Sequence, residues 1–170
     1  MTQYLFDSSR STIELSIRHL ILERRVRFTN FAGVLVLDAE DLSSSTLTLE
    51  LEAASIVGDG RYHIEQLFDV ARSPLIRFAS TRVEPVGHRL RVTGALTING
   101  VTRPVVLHLE PLASLDGLDR PEHIGVLGSL SIDRRKFGLQ LLSGGGLFLG
   151  DVIEIDLELR GARAEVRAAA

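Results

Sequence analysis

Apolar and polar residues alternate one by one along most of this chain. A period of two fits half-buried β-strands; a helix would scatter the same side chains around its circumference. In TLTLELEAASI, residues 46–56, Leu47, Leu49, Leu51 and Ala53 fall on one side and Thr48, Glu50 and Glu52 on the other. Thr12 to His19 places Ile13, Leu15, Ile17 and His19 on one face, and Arg89 to Ile98 does the same with Leu90, Val92, Gly94, Leu96 and Ile98. The latter segment runs into Asn99-Gly100, the strongest short hairpin signal, after which Thr102 to Glu110 sets Val105, Leu107 and Leu109 on one side. Strands are also predicted over Val26 to Leu37, Leu75 to Val83, Ile124 to Ile132 and Val152 to Leu159. The total is about eight, at the spacing of an all-β sandwich or barrel. Between the third and fourth strands GRYHIEQLFDV breaks the alternation and predicts a short helix ended by Ser73-Pro74; a second helical turn is predicted over Asp133 to Leu139.

A chain of 170 residues fits one domain. Residues 1–160 are assigned to a single β-barrel domain and 161–170, GARAEVRAAA, to a polar C-terminal tail, with SGGGLFLG at 143–150 as a flexible connection. The 19 basic and 22 acidic residues leave a net charge of -3, which is not the basic excess that phosphate backbones attract, so no nucleic-acid partner is expected. Cysteine is absent, removing disulfides, thiolate metal sites and cysteine nucleophiles together. MTQYLFDSSRSTIEL lacks a basic segment followed by an apolar one, and no stretch approaches about 18 uninterrupted apolar residues. The expected location is the cytoplasm, or the periplasm if a leader has been cleaved, with no transmembrane segment. The chain carries no H-E-x-x-H, no glycine-rich phosphate loop followed by Lys and Ser/Thr, no nucleophile elbow, and no metal-ligand spacing of His with Asp or Glu. The expectation is a protein that is not an enzyme and that holds neither metal nor cofactor.

Eight tilted antiparallel strands can close into a barrel, and at that number the interior either fills with side chains or holds one small ligand. Strands of about nine residues make a tube roughly 20 Å tall. Aromatics are 5% of the chain, and the inner faces are Leu, Val and Ile with Gly94 and Ala53 among them, which points to room along the axis. The opposing reading is an aliphatic core packed solid, favoured by composition alone because native interiors are close-packed.

Several stretches together resemble the YceI-like family: STIELSIRHL (11–20), NFAGVLVLDAED (30–41), LEAASI (51–56), HIEQLFDVARSPLIRFAST (63–81), VTGALTINGVTRPVVLHL (92–109) and LSIDRRKFGL (130–139). The most specific pieces are Phe68 and Asp69 before P-x-I-x-F-x-S-T (Pro74, Ile76, Phe78, Ser80, Thr81), the hairpin from Gly94 to Thr102, and R-x-x-F-G (Arg134, Phe137, Gly138). The resemblance implies an eight-stranded antiparallel lipocalin-like barrel whose apolar interior holds a polyisoprenoid chain, often a quinone tail, and a homodimer. The chain departs from the family pattern in its shortened SIVGDGRYHI, where no acid follows the arginine, and it lacks the Trp of true lipocalins.

Under that resemblance the ligand-binding candidates are His19, Leu15, Ile17, Phe28, Phe31, Leu49, Leu51, Phe78, Leu96, Leu107, Arg134, Phe137 and Phe148. His19 matches the family's first-strand histidine; parity turns it inward near a strand end, where an imidazole can meet an oxygenated head group or brace a neighbouring loop. His63 matches a family histidine and caps or braces the helix. Arg134 clamps backbone carbonyls or a carboxylate at a barrel end. The phenylalanines line the path of a lipid chain or form plain core. His88, His108 and His123 are read as surface residues. Three functions stay open: a carrier or reservoir for a long isoprenoid or quinone-type lipid, an enzyme modifying the head group with His19 as acid or base, and a partner-binding β protein with a filled core.

Overall fold

A computed structural model describes residues 1–113, 121–140 and 149–165. The strands are β1 Thr2–Asp7, β2 Thr12–His19, β3 Leu22–Phe28, β4 Phe31–Leu37, β5 Thr46–Glu52, β6 Ile56–Val57, β7 Leu75–Val86, β8 Arg89–Ile98, β9 Val101–Pro111, β10 His123–Asp133 and β11 Leu149–Arg163. The expected short helix is α1, Arg61–Ile64, continued by a 3-10 turn over Glu65–Leu67; the second helical turn is a 3-10 segment over Arg134–Phe137.

All pairings are antiparallel. β1 and β2 act as one bent strand, β3 and β4 as another, and with β5 and β7 to β11 they make eight staves wound up and down. Closure comes from β1 on β11, Tyr4 opposite Arg163 and Phe6 opposite Gly161. The fold is therefore the eight-stranded antiparallel barrel that the resemblance implies, one of the two all-β architectures the alternation left open.

Three details differ from the sequence reading. β1 carries Tyr4, Leu5 and Phe6 in succession, so it shows no alternation, yet Tyr4 and Phe6 are buried and Leu5 is exposed. β11 runs through Gly161, Ala162 and Arg163, which the sequence assigned to the tail: a ladder uses backbone groups, and the bare Gly161 receives the Phe6 ring, within 2.8 Å of where a Cβ would stand. The strand predicted over Val26 to Leu37 breaks at Thr29 and Asn30, where the chain is pinned sideways: Thr29 N donates to Ser55 O (2.9 Å) and Asn30 N to Ser55 Oγ (3.1 Å).

The alternation sets the two faces of the wall. Leu47, Leu49 and Leu51 are buried while Thr48, Glu50 and Glu52 are exposed, and Ile153 and Leu157 face the core while Glu154 and Asp156 face out. Outer charges pair across strands, as Arg77 Nε does with Glu50 Oε2 at 3.0 Å. A wall this charged is not the apolar band that a bilayer-spanning barrel presents.

Gly94 leaves no room on the axis, contrary to what its missing side chain implies in the sequence. A Cβ there would lie 2.5 Å from two ring atoms of Phe78 and 2.7 Å from the Ala79 carbonyl oxygen, so the Phe78 ring occupies the space. Gly94→Ala is accordingly expected to destabilise the fold by about 1–3 kcal/mol through overpacking, read as a lower urea midpoint.

Candidate functional site

Among the described residues the inner wall lines two apolar hollows along the barrel. The middle one, about 40 Å³, is lined by Ile13, Leu49, Leu51, Ile76, Phe78, Leu96, Leu107, Leu130, Ile155 and Leu157. The other, about 20 Å³, lies among Phe6, Leu35, Leu37, Leu47, Val92 and Val126 towards the opposite end. Neither has a polar lining atom of consequence, so each can offer only dispersion and hydrophobic contact. A benzene-sized guest takes about 150 Å³. The inner wall is thus aliphatic, and its own side chains leave only these small hollows between them.

One seam in the wall is incomplete. β9 pairs with β10 only from Val126 opposite Pro111 to Ser129 opposite His108, although β9 begins at Val101 and β10 continues to Asp133. Beyond that ladder the inward-facing Val105 and Leu130, and Ile155 on the neighbouring strand, are only partly buried. The middle hollow, lined by Leu107, Leu130 and Ile155, borders this seam.

The barrel end carrying α1 is shut by side chains. Ile64 and Leu67 are buried beneath it, and the rings of Phe28 and Phe68 meet with centroids 6.4 Å apart. Asn99 fits the hairpin turn with φ 52° and Gly100 follows at φ 74°, the left-handed pair such a turn needs. The Asn99 amide then ties the turn to the helical segment: Nδ2 donates to Leu67 O (2.8 Å) and Oδ1 accepts from Asp69 N (2.9 Å). The arginine of the shortened loop, Arg61, has its acid four residues on, with Nε 3.2 Å from Glu65 Oε2.

Arg134 is buried and its guanidinium is spent on backbone. Nε donates to Gly150 O (2.8 Å), one terminal nitrogen to Leu139 O (2.8 Å) and the other to Leu149 O (3.2 Å), with Asp151 3.5 Å away. Of the two expected uses, this geometry is the carbonyl clamp, stapling the start of β11 to the turn after β10. Beside it Asp133 caps the 3-10 segment, and the hydrogen bond from Arg135 holds its carboxyl below the usual carboxylate range.

The structure gathers Leu49, Leu51, Phe78, Leu96 and Leu107 around the middle hollow. Leu15 and Ile17 are buried on the inner face of β2 without lining that hollow. Phe28, Phe31 and Phe137 are buried in the core; Phe148 and most of the glycine-rich connection lie outside the described residues. His19 is half-buried at the end of β2, opposite Leu22 and Leu149. His88, His108 and His123 are exposed, as expected of surface residues.

Ile76, Leu130, Ile155 and Leu157 also line the hollow, and the same alternation that selected Leu49 and Leu96 marks them. Arg24 is not among the candidates that the sequence marks. It stands on β3 opposite Ile17, in step with the buried Val26 and Phe28, and its Nε is buried with no hydrogen-bond partner among the described residues. Its signal in the sequence is a charged residue at an inward position, which a run of three arginines in four residues hides. Among the described residues no cluster of three or more His, Asp or Glu is placed to hold a metal ion.

The profile of the YceI-like domain matches residues 4–161. A UPF0312 protein of Pseudomonas aeruginosa is 25% identical over 163 residues, covering 92% of this chain and 84% of its own length. A UPF0312 protein of Staphylococcus aureus is 26% identical over 166 residues, covering 92% and 95%. Among solved structures, BcnA of Burkholderia cenocepacia superposes with a TM-score of 0.78 at 20% identity over 91% of this chain and 98% of that one. A polyisoprenoid binding domain from Saccharophagus degradans superposes at 0.69 and 14% identity over 96% and 99%. A closed eight-stave wall with an aliphatic inner face, matched by that profile from β1 to the closing rung of β11, places the chain in the YceI-like family.

Proposed function

We propose that this protein binds a long-chain isoprenoid or quinone-type lipid in the barrel interior and serves as its carrier or reservoir. The observation that carries the reading is the ring of ten residues around the middle hollow, all of them aliphatic or aromatic. Likeness to a polyisoprenoid binding domain supports it. An isoprenoid tail needs far more than about 40 Å³, so loading requires the leucine and isoleucine side chains to move apart. The short β9–β10 ladder is where that widening breaks fewest hydrogen bonds. A head group left at the α1 end meets Arg24, whose unpaired Nε offers a donor, and the half-buried His19.

Native mass spectrometry of protein taken from its own cells, and of purified protein exposed to a lipid extract, tests the reading. A non-covalent adduct that extracts into organic solvent is expected. His19→Ala should keep that adduct and weaken it by less than about tenfold, the worth of one hydrogen bond. An enzyme using His19 as acid or base would instead lose turnover by a hundredfold or more, on the order of general acid–base catalysis. The small size of both hollows favours a second reading, a filled-core β protein acting through its surface; bare polypeptide mass in every preparation would establish that one instead.

A further inference from the structure

The β2–β3 hairpin ends in Leu20, Ile21 and Leu22, exposed by 55%, 92% and 53%. Leu20 takes φ 57°, a left-handed conformation unfavourable for a residue with a Cβ. The Asn99-Gly100 hairpin shows how this chain makes a turn at lower cost. Three consecutive aliphatic side chains held largely in water, with Leu20 on left-handed backbone, return little to the core, and such a patch marks a contact surface.

The flanks identify the partner. Residues 18–27 hold Arg18, Arg24, Arg25 and Arg27 against the single acid Glu23, in a chain whose net charge is -3. Arg24 turns inward and Arg25 is shared between Glu14 (3.4 Å) and Glu23 (3.0 Å), so the exposed Arg18 and Arg27 form the cationic flank. Gly60 packs on Arg24, a Cβ there falling 3.0 Å from Arg24 Cβ, so α1 adjoins the tip, and its Tyr62 is 70% exposed. Apolar tip, cationic flank and amphipathic tyrosine are the combination that suits the interface of an anionic bilayer. A stable dimer needs about 800 Å² from each partner, more than a three-residue tip can supply.

We propose that Leu20, Ile21 and Leu22 insert into the surface of a bilayer containing anionic phospholipid, docking the α1 end of the barrel where its ligand is collected. The inference rests on the lipid-binding reading for its purpose but not for its test. The unpaired stretch of β9 and β10 runs to this same end, so docking brings the seam close to the lipid.

Flotation with phosphatidylcholine vesicles, with and without phosphatidylglycerol, decides it. Wild-type protein is expected to float with the phosphatidylglycerol vesicles and to be released by high salt. Ile21→Asp should cut binding by about tenfold or more while keeping the wild-type urea midpoint, since the side chain is 92% exposed. Arg18→Glu should cut it only on anionic vesicles. Wild-type protein that does not float, or Ile21→Asp that floats as well as wild type, overturns the proposal. So does a wild-type dimer that Ile21→Asp converts to monomer with no flotation by either. Native mass spectrometry of Ile21→Asp separates the two readings: lipid retained with flotation lost supports docking, whereas flotation by a wild type that never carries lipid refutes the interior site alone.

Discussion

Leu96→Arg is expected to leave the chain without a cooperative unfolding transition. Leu96 is 5% exposed on β8 and lines the middle hollow, whose lining residues are all apolar, and its partner across the ladder on β9 is Arg103, itself a cation. A guanidinium placed there finds no carboxylate among the lining residues, and the backbone groups of β8 itself are taken up by ladders to β7 and β9. An uncompensated buried charge costs about 3–5 kcal/mol, and the added bulk in a closed interior costs more, against a total of about 5–15 kcal/mol for a domain. Circular dichroism across a urea series reads the outcome, and insoluble expression agrees with it. A soluble variant with the wild-type midpoint would show that Leu96 does not face inward. Leu96→Ala is the companion: it enlarges the hollow, lowers stability by about 2–5 kcal/mol, and should keep or improve the uptake of a lipid that fills the added space.

Arg134→Ala is expected to lower the melting temperature by roughly 10 °C, from the loss of about 3–5 kcal/mol. The three carbonyls it serves, at Leu139, Leu149 and Gly150, lie on two segments that are joined in sequence only through 140–148. The nearby Asp151 adds little, because that carboxylate is half exposed. Arg134→Lys should recover less than half of the loss, since one ammonium cannot span three acceptors that a planar fork reaches. Differential scanning calorimetry measures this directly. An unchanged melting temperature with lipid retention lost would reverse the assignment and make Arg134 a ligand contact.

Much of the fold was legible because each stave carries its own record of which side faces in. Leu47, Leu49 and Leu51, or Leu90, Val92 and Leu96, needed no partner to declare their face, and Asn99-Gly100 names its turn by backbone requirements alone. β1 was illegible for the converse reason: Tyr4-Leu5-Phe6 hides the alternation, and only pairing with β4 and β11 shows that Leu5 looks outward. The candidate site was half legible. Parity put Leu49, Leu51, Leu96 and Leu107 on inner faces, and the structure brings them together with Phe78, but nothing local showed that Phe78 would lie across Gly94 or, of the two uses expected for Arg134, which carbonyls it would reach. Those depend on which strands are adjacent and in what register.

By itself the sequence determined the strand-rich wall and its apolar inner face, since a period of two is a property of neighbouring residues. The tertiary structure alone decided how much space that face encloses, where the wall is only partly stitched, and that Arg24 looks in while Leu20, Ile21 and Leu22 look out. Volume is set by side chains meeting across the barrel from strands far apart in the chain, and no local pattern records how closely they approach.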